Sequence, residues 1–168
     1  LKFAGLAICR GLHFADAGSN GHPMSLHLVK LCVGCASISD LESWIRERRR
    51  QARKQGKTYR HAHVTRMSPK RVEELLDGGS LYWVIRGQIA CRQKLIGVET
   101  YRDKSGIGRC RLVLDPKVVP VAPRPMRAFQ GWRYLTAADA PPDLAARGSG
   151  LAQMPEPMRR ELRELGLI

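Results

Sequence analysis

From Ser80 to Leu114 the chain is punctuated strand, and this constrains the fold more than any other feature. Ser80–Tyr101 is rich in β-branched and aromatic residues and is broken at Gly87 and Gly97. That composition suits a pleated, half-buried surface. It reads as two strands, or as one strand with a bend. Asp103-Lys104-Ser105-Gly106 is a turn signal, and Ile107–Leu114 returns as a further strand. Consecutive strands joined this way make an antiparallel meander. Pro116, Pro120, Pro123 and Pro125 then force an extended path. Its expected place is a sheet edge, because proline cannot donate to a ladder.

The flanks supply helices. Leu26, Leu28, Leu31 and Val33 predict a first strand over Ser25–Val33, ending at Gly34. Ser39 and Glu42 form a capping box for a helix whose apolar stripe is Leu41, Trp44 and Ile45. After Ile45 the stripe gives out, so the last turns should project into solvent and stop near Gly56. His61–Met67 alternates as a strand. Ser68-Pro69 predicts a second helix start, with Val72, Leu75 and Leu76 buried and Gly78-Gly79 as its end. Phe129–Leu135 is a short aromatic segment, and Asp139–Gly150 is loop by composition. A last helix is expected from about Pro155, with Met158, Leu162 and Leu165 on one face and Gly166 as its stop.

The fold class that follows is α+β: a small, mostly antiparallel, barrel-like sheet with two N-terminal helices and one C-terminal helix. At 168 residues one domain can bury a core without disulfides. That domain is expected over residues 24–168, with the Pro/Gly-rich loop 139–150 before the closing helix. Leu1–Pro23 is a mixed Gly/Ala/His stretch that only weakly imitates a signal peptide. It is read as an extension outside the domain.

Charge points to the partner. The chain carries a net charge of +14. Much of it lies between Trp44 and Val72, as Arg46, Arg48, Arg49, Arg50, Arg53, Lys54, Lys57, Arg60, Arg66, Lys70 and Arg71, with Glu47 as the only acid among them. Arg46, Arg49, Arg50 and Arg53 recur at i, i+3, i+4 and i+7 and so share one helical face. A helix kept merely soluble mixes signs. This one repels itself, and an anion would relieve it. Nucleic acid is the usual cellular polyanion.

Aromatics are the second candidate feature. Tyr82 and Trp83 must face opposite sides of a strand, so one is expected in the core and the other available. Trp132 and Tyr134 flank Arg133, as a base-stacking platform would. Core packing is the first reading for all four.

Other chemistry is weakly signalled. The five cysteines, Cys9, Cys32, Cys35, Cys91 and Cys110, are an odd number and read as free thiols in a reducing cytosol. Cys32-x-x-Cys35 has metal or redox spacing but no second such pair. His61-x-His63 reads as two sheet histidines. There is no G-x-S-x-G, no P-loop and no spaced carboxylate pair. No catalytic residue, metal or cofactor is assigned. No apolar run approaches the roughly 20 residues of a membrane helix.

The segments Leu26–Lys30, Thr65–Arg71, Leu75–Ile85, Leu112–Pro116 and Phe129–Leu135 resemble a family of small alphaproteobacterial proteins catalogued as a domain of unknown function. The resemblance implies a bacterial cytosolic protein and lends no activity. A fainter likeness runs to PUA-like folds, in the EVE and ASCH branches, through Ser37–Leu41, Gly78-Gly79, Leu81–Ile85 and Gly97-Val98. It implies a pseudo-barrel that binds RNA or modified bases. The combined expectation is a cytoplasmic module that binds RNA, with DNA as the alternative ligand. Two competing readings are a nucleic-acid-processing enzyme using His61, His63 or a cysteine, and an adaptor whose basic helix docks on an acidic protein.

Overall fold

The computed structural model describes residues 25–144 and 154–164. The expected extension 1–23, Cys9, residues 145–150 of the expected loop, and Leu165 and Gly166 lie outside the described residues. Ten elements follow in order: β1 (Leu26–Leu31), α1 (Ile38–Lys54), β2 (Ala62–Thr65), α2 (Val72–Leu76), β3 (Ser80–Ile85), β4 (Gln88–Arg102), β5 (Gly108–Leu114), β6 (Val119–Pro125), β7 (Trp132–Thr136) and α3 (Glu156–Glu164).

The expected meander is present as β3, β4 and β5. The β3–β4 connection is the two-residue turn Arg86-Gly87, with φ of 48° and 77°. Two positive φ values in a two-residue hairpin loop match the twist of the strands it joins. At Gly97 there is no break. β4 runs through it with a register shift between Leu95 and Gly97. One long strand can therefore pair with β3 and β6 through its first half and with β5 through its second. The proline-rich segment is the short strand β6, as its missing donors require.

The sheet is mixed but mostly antiparallel, in the order β2-β5-β4-β3-β1-β7, with β6 against β4. Its single parallel pair, β1 with β3, arises because α1, β2 and α2 intervene before the chain returns. The sheet is open, with β2 and β7 as the ends of its order. It nevertheless curls strongly. His63 of β2 meets Trp83 of β3 edge-on, with ring centroids 5.2 Å apart, although β5 and β4 lie between them. A flat sheet would hold those strands about 14 Å apart.

Each face of the sheet carries a core. Leu28, Leu81, Trp83, Leu95 and Leu112 pack against Leu41 and Ile45 of α1 on the concave side. Val29, Tyr82, Val84, Ile89 and Leu135 form a smaller cluster on the other. All six residues of β3 are buried. The expectation that either Tyr82 or Trp83 would be available is therefore corrected: each is 4% exposed, on opposite faces that are both covered.

The concave core encloses a polar chain. Trp83 Nε1–H donates to Gln93 Oε1 at 2.9 Å, and His61 Nε2 lies 3.3 Å from the same oxygen. The Gln93 amide nitrogen donates to the Asp115 carbonyl at 2.8 Å, and Tyr59 meets His61 Nδ1 at 2.9 Å. Gln93 is fully buried. Gln93→Leu orphans two donors and a carbonyl at once. Its expected cost is about 3 kcal/mol, measured as a lower urea midpoint with an unchanged slope.

The helices differ from the expectation in three places. α1 is capped by Ser37, not Ser39. The Ser37 hydroxyl accepts from the Asp40 N–H, and the Asp40 carboxylate accepts from the Ala36 N–H. α2 begins at Val72, capped by Arg71 without a side-chain bond. Ser68 and Pro69 belong to the preceding loop, where Pro69 is buried. α3 does not bury its apolar face, since Met158 is 51% exposed.

Candidate nucleic-acid interface

The basic ridge stands on a helix secured at both ends. The Ser37 cap fixes its start. At its end Gly56, with φ of 65°, donates to the Arg53 carbonyl, and Lys57 donates to the Ala52 carbonyl at 2.9 Å. These two bonds form a Schellman closure, which only a residue tolerant of positive φ permits cheaply. Leu41 and Ile45 anchor the first half to the core. Arg46, Arg49, Arg50 and Arg53 are all exposed, as are Lys54 and Lys57. Glu47 ion-pairs with Arg50 and accepts from Gln51 at 3.0 Å. Arg46 donates to the Ser43 hydroxyl at 2.8 Å. Arg48 lies off this ridge, 4.7 Å above the Trp44 ring. Among the described residues, Arg46, Arg49, Arg53, Lys54 and Lys57 have no carboxylate partner.

The remaining predicted cations divide. Arg60 is committed to Glu99, which Arg111 also approaches at 3.4 Å. Arg71 is held by Glu74, with Nε to Oε1 at 2.6 Å. Arg66 and Lys70 are exposed and have no ion pair among the described residues.

The loop that carries Arg66, Lys70 and Arg71 bridges the two ends of the sheet. Trp132 Nε1–H donates to the Met67 carbonyl at 3.0 Å. The Tyr134 hydroxyl accepts from the N–H groups of Lys70 at 2.9 Å and Arg71 at 3.2 Å. The Trp132 and Tyr134 rings meet edge-on at 5.1 Å, and the Arg71 guanidinium lies 5.8 Å from the Tyr134 ring centre. Aromatics and cations that are distant in sequence thus share one surface. Tyr134 is 37% exposed and Met67 71%. Of the four predicted stacking residues, Trp132 and Tyr134 reach this surface, whereas Tyr82 and Trp83 are in the core.

Sequence reasoning missed Lys30 and His63 as parts of this seam. Lys30 Nζ donates to the Gly131 carbonyl at 3.1 Å, and burial lowers its pKa. The signal was parity: Lys30 shares its face with the inward Leu26 and Leu28. His63 has a buried Nε2 without a hydrogen-bond partner among the described residues. Burial first, and then the Lys30 charge, bring its pKa down to about 4. An unfolded histidine binds its proton near the ordinary value of 6.5. Between those values the unfolded chain holds more protons, so stability is lost as pH falls from 6.5 towards 4. His63 accounts for on the order of 3 kcal/mol of that loss, and His27 and His61 are shifted in the same direction. The melting temperature should fall steadily through this window, and His63→Leu should flatten the fall.

Reading by residue type also missed a polar cluster on the convex side. Arg92 forms a bidentate pair with Asp143 at 2.6 and 2.7 Å and donates to the Ser80 hydroxyl at 3.1 Å. The Ser80 N–H donates to His27 Nδ1 at 3.1 Å. This cluster ties the 141–143 segment to the sheet beside a cavity of about 220 Å³.

The thiols of Cys32, Cys35, Cys91 and Cys110 are free. Burial pushes the Cys91 thiol up to about 12, and the Cys32 thiol is raised as well. Protonated thiols are poor nucleophiles and poor metal ligands. Among the described residues no group of three or more His, Cys, Asp or Glu side chains could hold a metal ion. No helix among them is long and apolar enough to cross a membrane.

None of the curated proteins and none of the solved structures matches this chain significantly. One family model does, and it covers residues 28–168, from the second turn of alternation in β1 onward through the ridge, the seam and the described part of α3. The chain belongs to the family described as protein of unknown function DUF1489.

Proposed function

We propose that this protein is a nucleic-acid-binding module whose ligand is RNA, working in the cytoplasm. One observation carries the reading. A 17-residue helix presents Arg46, Arg49, Arg50 and Arg53 on one exposed face, and a single ion pair offsets them among the described residues. Side chains so arranged repel one another, and a phosphate backbone relieves that repulsion while releasing its own counterions. The seam adds Arg66, Lys70 and the ring of Tyr134, a mixture suited to an unpaired strand. Trp132 steadies the loop that holds them. A curled, open sheet with one long central strand agrees with the fainter likeness to PUA-like pseudo-barrels, and we adopt that fold reading with the function.

The test is a fluorescence anisotropy titration of a labelled single-stranded RNA over a series of salt concentrations. With four to six phosphates neutralised, log K should fall against log salt with a slope of about −3 to −4. A duplex DNA of equal length run beside it separates RNA from DNA. Absence of binding to either, or affinity indifferent to salt, contradicts the proposal.

A further inference from the structure

The last helix is turned the wrong way for an apolar contact. Met158 points outward at 51% exposure, while the side chains of Arg159 and Arg163 are only 16% and 27% exposed. Burying guanidinium groups is unfavourable unless they gain partners. Glu156 is the ion-pair partner of both, at 2.8 Å from Arg159 and 3.7 Å from Arg163. That leaves Arg159 Nε buried without a hydrogen-bond partner among the described residues.

These arginines line a cavity of about 600 Å³ between α3, the β3–β4 turn, β6 and the start of α1. The volume is that of a small-molecule site. Arg86 and Arg160 line it too. Arg86 occupies a turn position with φ of 48°, where Asn or Gly is cheaper. The first turn of α1 completes the wall. Its Ile38 and Ser39 N–H groups have no acceptor among the described residues, and they sit at the positive end of the helix. Three carboxylates, Asp40, Glu156 and Glu164, share the lining. Asp40 is engaged by the Ala36 N–H and Glu156 by two arginines. Arg86 and Arg160 have no ion pair among the described residues. Opposite the cations the wall is apolar, with Ala90, Val121 and Pro123.

We infer that this cavity binds a phosphate monoester carried on a nucleoside-sized body: the phosphate against the guanidinium groups and the α1 N-terminus, the body against the apolar wall. The site uses none of the Arg46–Arg53 ridge and stands whether or not that ridge binds nucleic acid. The ester could reach it as a free mononucleotide or as the phosphorylated end of an RNA strand.

Calorimetric titration of the full chain with adenosine 5′-monophosphate and with adenosine tests it. The phosphate should tighten binding by about tenfold or more, the worth of one charge-assisted contact. Arg86→Gln and Arg163→Gln should each weaken the nucleotide by a similar factor. Arg49→Glu with Arg53→Glu should leave it unchanged. Because Arg163→Gln could undock α3, Arg86→Gln, which lies outside that helix, is the deciding variant. Failure of the nucleotide to bind, equal binding of nucleotide and nucleoside, or an unaffected Arg86→Gln overturns the inference. An RNA compared with and without its 5′-phosphate then identifies the source. A preference for the phosphorylated strand assigns the site to strand ends, and no preference assigns it to free nucleotides.

Discussion

Gly79→Ala is expected to abolish folding. A Cβ at position 79 would lie 2.1 Å from the Leu75 carbonyl oxygen and 2.4 Å from that of Leu26. Both are backbone atoms, so no side-chain rotation relieves the clash. One belongs to α2 and the other to β1, and the Gly79 carbonyl itself accepts from Leu95 N–H at 3.0 Å. Making room would separate the helix from the strand pair on which the concave core is built. The cost should exceed about 4 kcal/mol, a large share of the 5–15 kcal/mol that holds a typical domain. Gly78 is the control. A Cβ there meets only the Ser25 hydroxyl, at 3.2 Å, and the strain comes from its φ of 79°. Gly78→Ala should cost about 1–2 kcal/mol. Soluble expression and urea unfolding separate the two. A Gly79→Ala protein with a normal unfolding midpoint would mean that α2 does not pack as described.

Arg49→Glu combined with Arg53→Glu should weaken RNA binding by about 100-fold at physiological salt and lower the salt slope. The double substitution deletes two phosphate contacts and places two like charges against the strand. It should not unfold the domain. Both side chains are exposed, and neither has an ion-pair partner among the described residues. The substitutions also relieve repulsion along the helix, so the melting temperature should stay level or rise. Equal affinity in wild type and variant would remove the ridge from the account. Equal loss of affinity and of melting temperature would make the ridge structural instead.

What was legible in the sequence was what is local. The ridge could be read because i, i+3, i+4 and i+7 positions are fixed by helical geometry alone, and Gly56 as its stop follows from the same logic. The β3–β4–β5 meander was legible because turn residues join neighbours. Local reading failed where the decision was made elsewhere. Ser37 and Ser39 each precede an acid by three residues, and in the structure Ser37 caps α1, with Asp40 reaching back to the Ala36 N–H. Gly97 looked like a break, yet pairing on both sides carries β4 through it as a bulge. Tyr82 and Trp83 were expected to divide between core and surface, but β1 and β4 flank β3 on either side and both faces are covered. The parallel pairing of β1 with β3 and the antiparallel pairing of β7 with β1 leave no local trace. The candidate seam depends on that pairing, because it alone brings Trp132 and Tyr134 to the loop with Lys70 and Arg71. α3 shows the converse failure. Its pattern set Met158 on one apolar face with Leu162, and the structure leaves Met158 exposed while Arg159 and Arg163 turn inward.

The central claim is that this protein holds RNA, and the most direct measurement is made on protein purified from its native host at moderate salt. The quantity is the ratio of absorbance at the nucleic-acid and protein maxima, before and after RNase treatment. The account predicts a ratio well above that of protein alone, which RNase lowers and DNase does not. A protein-like ratio throughout, or a high one that only DNase lowers, would contradict it.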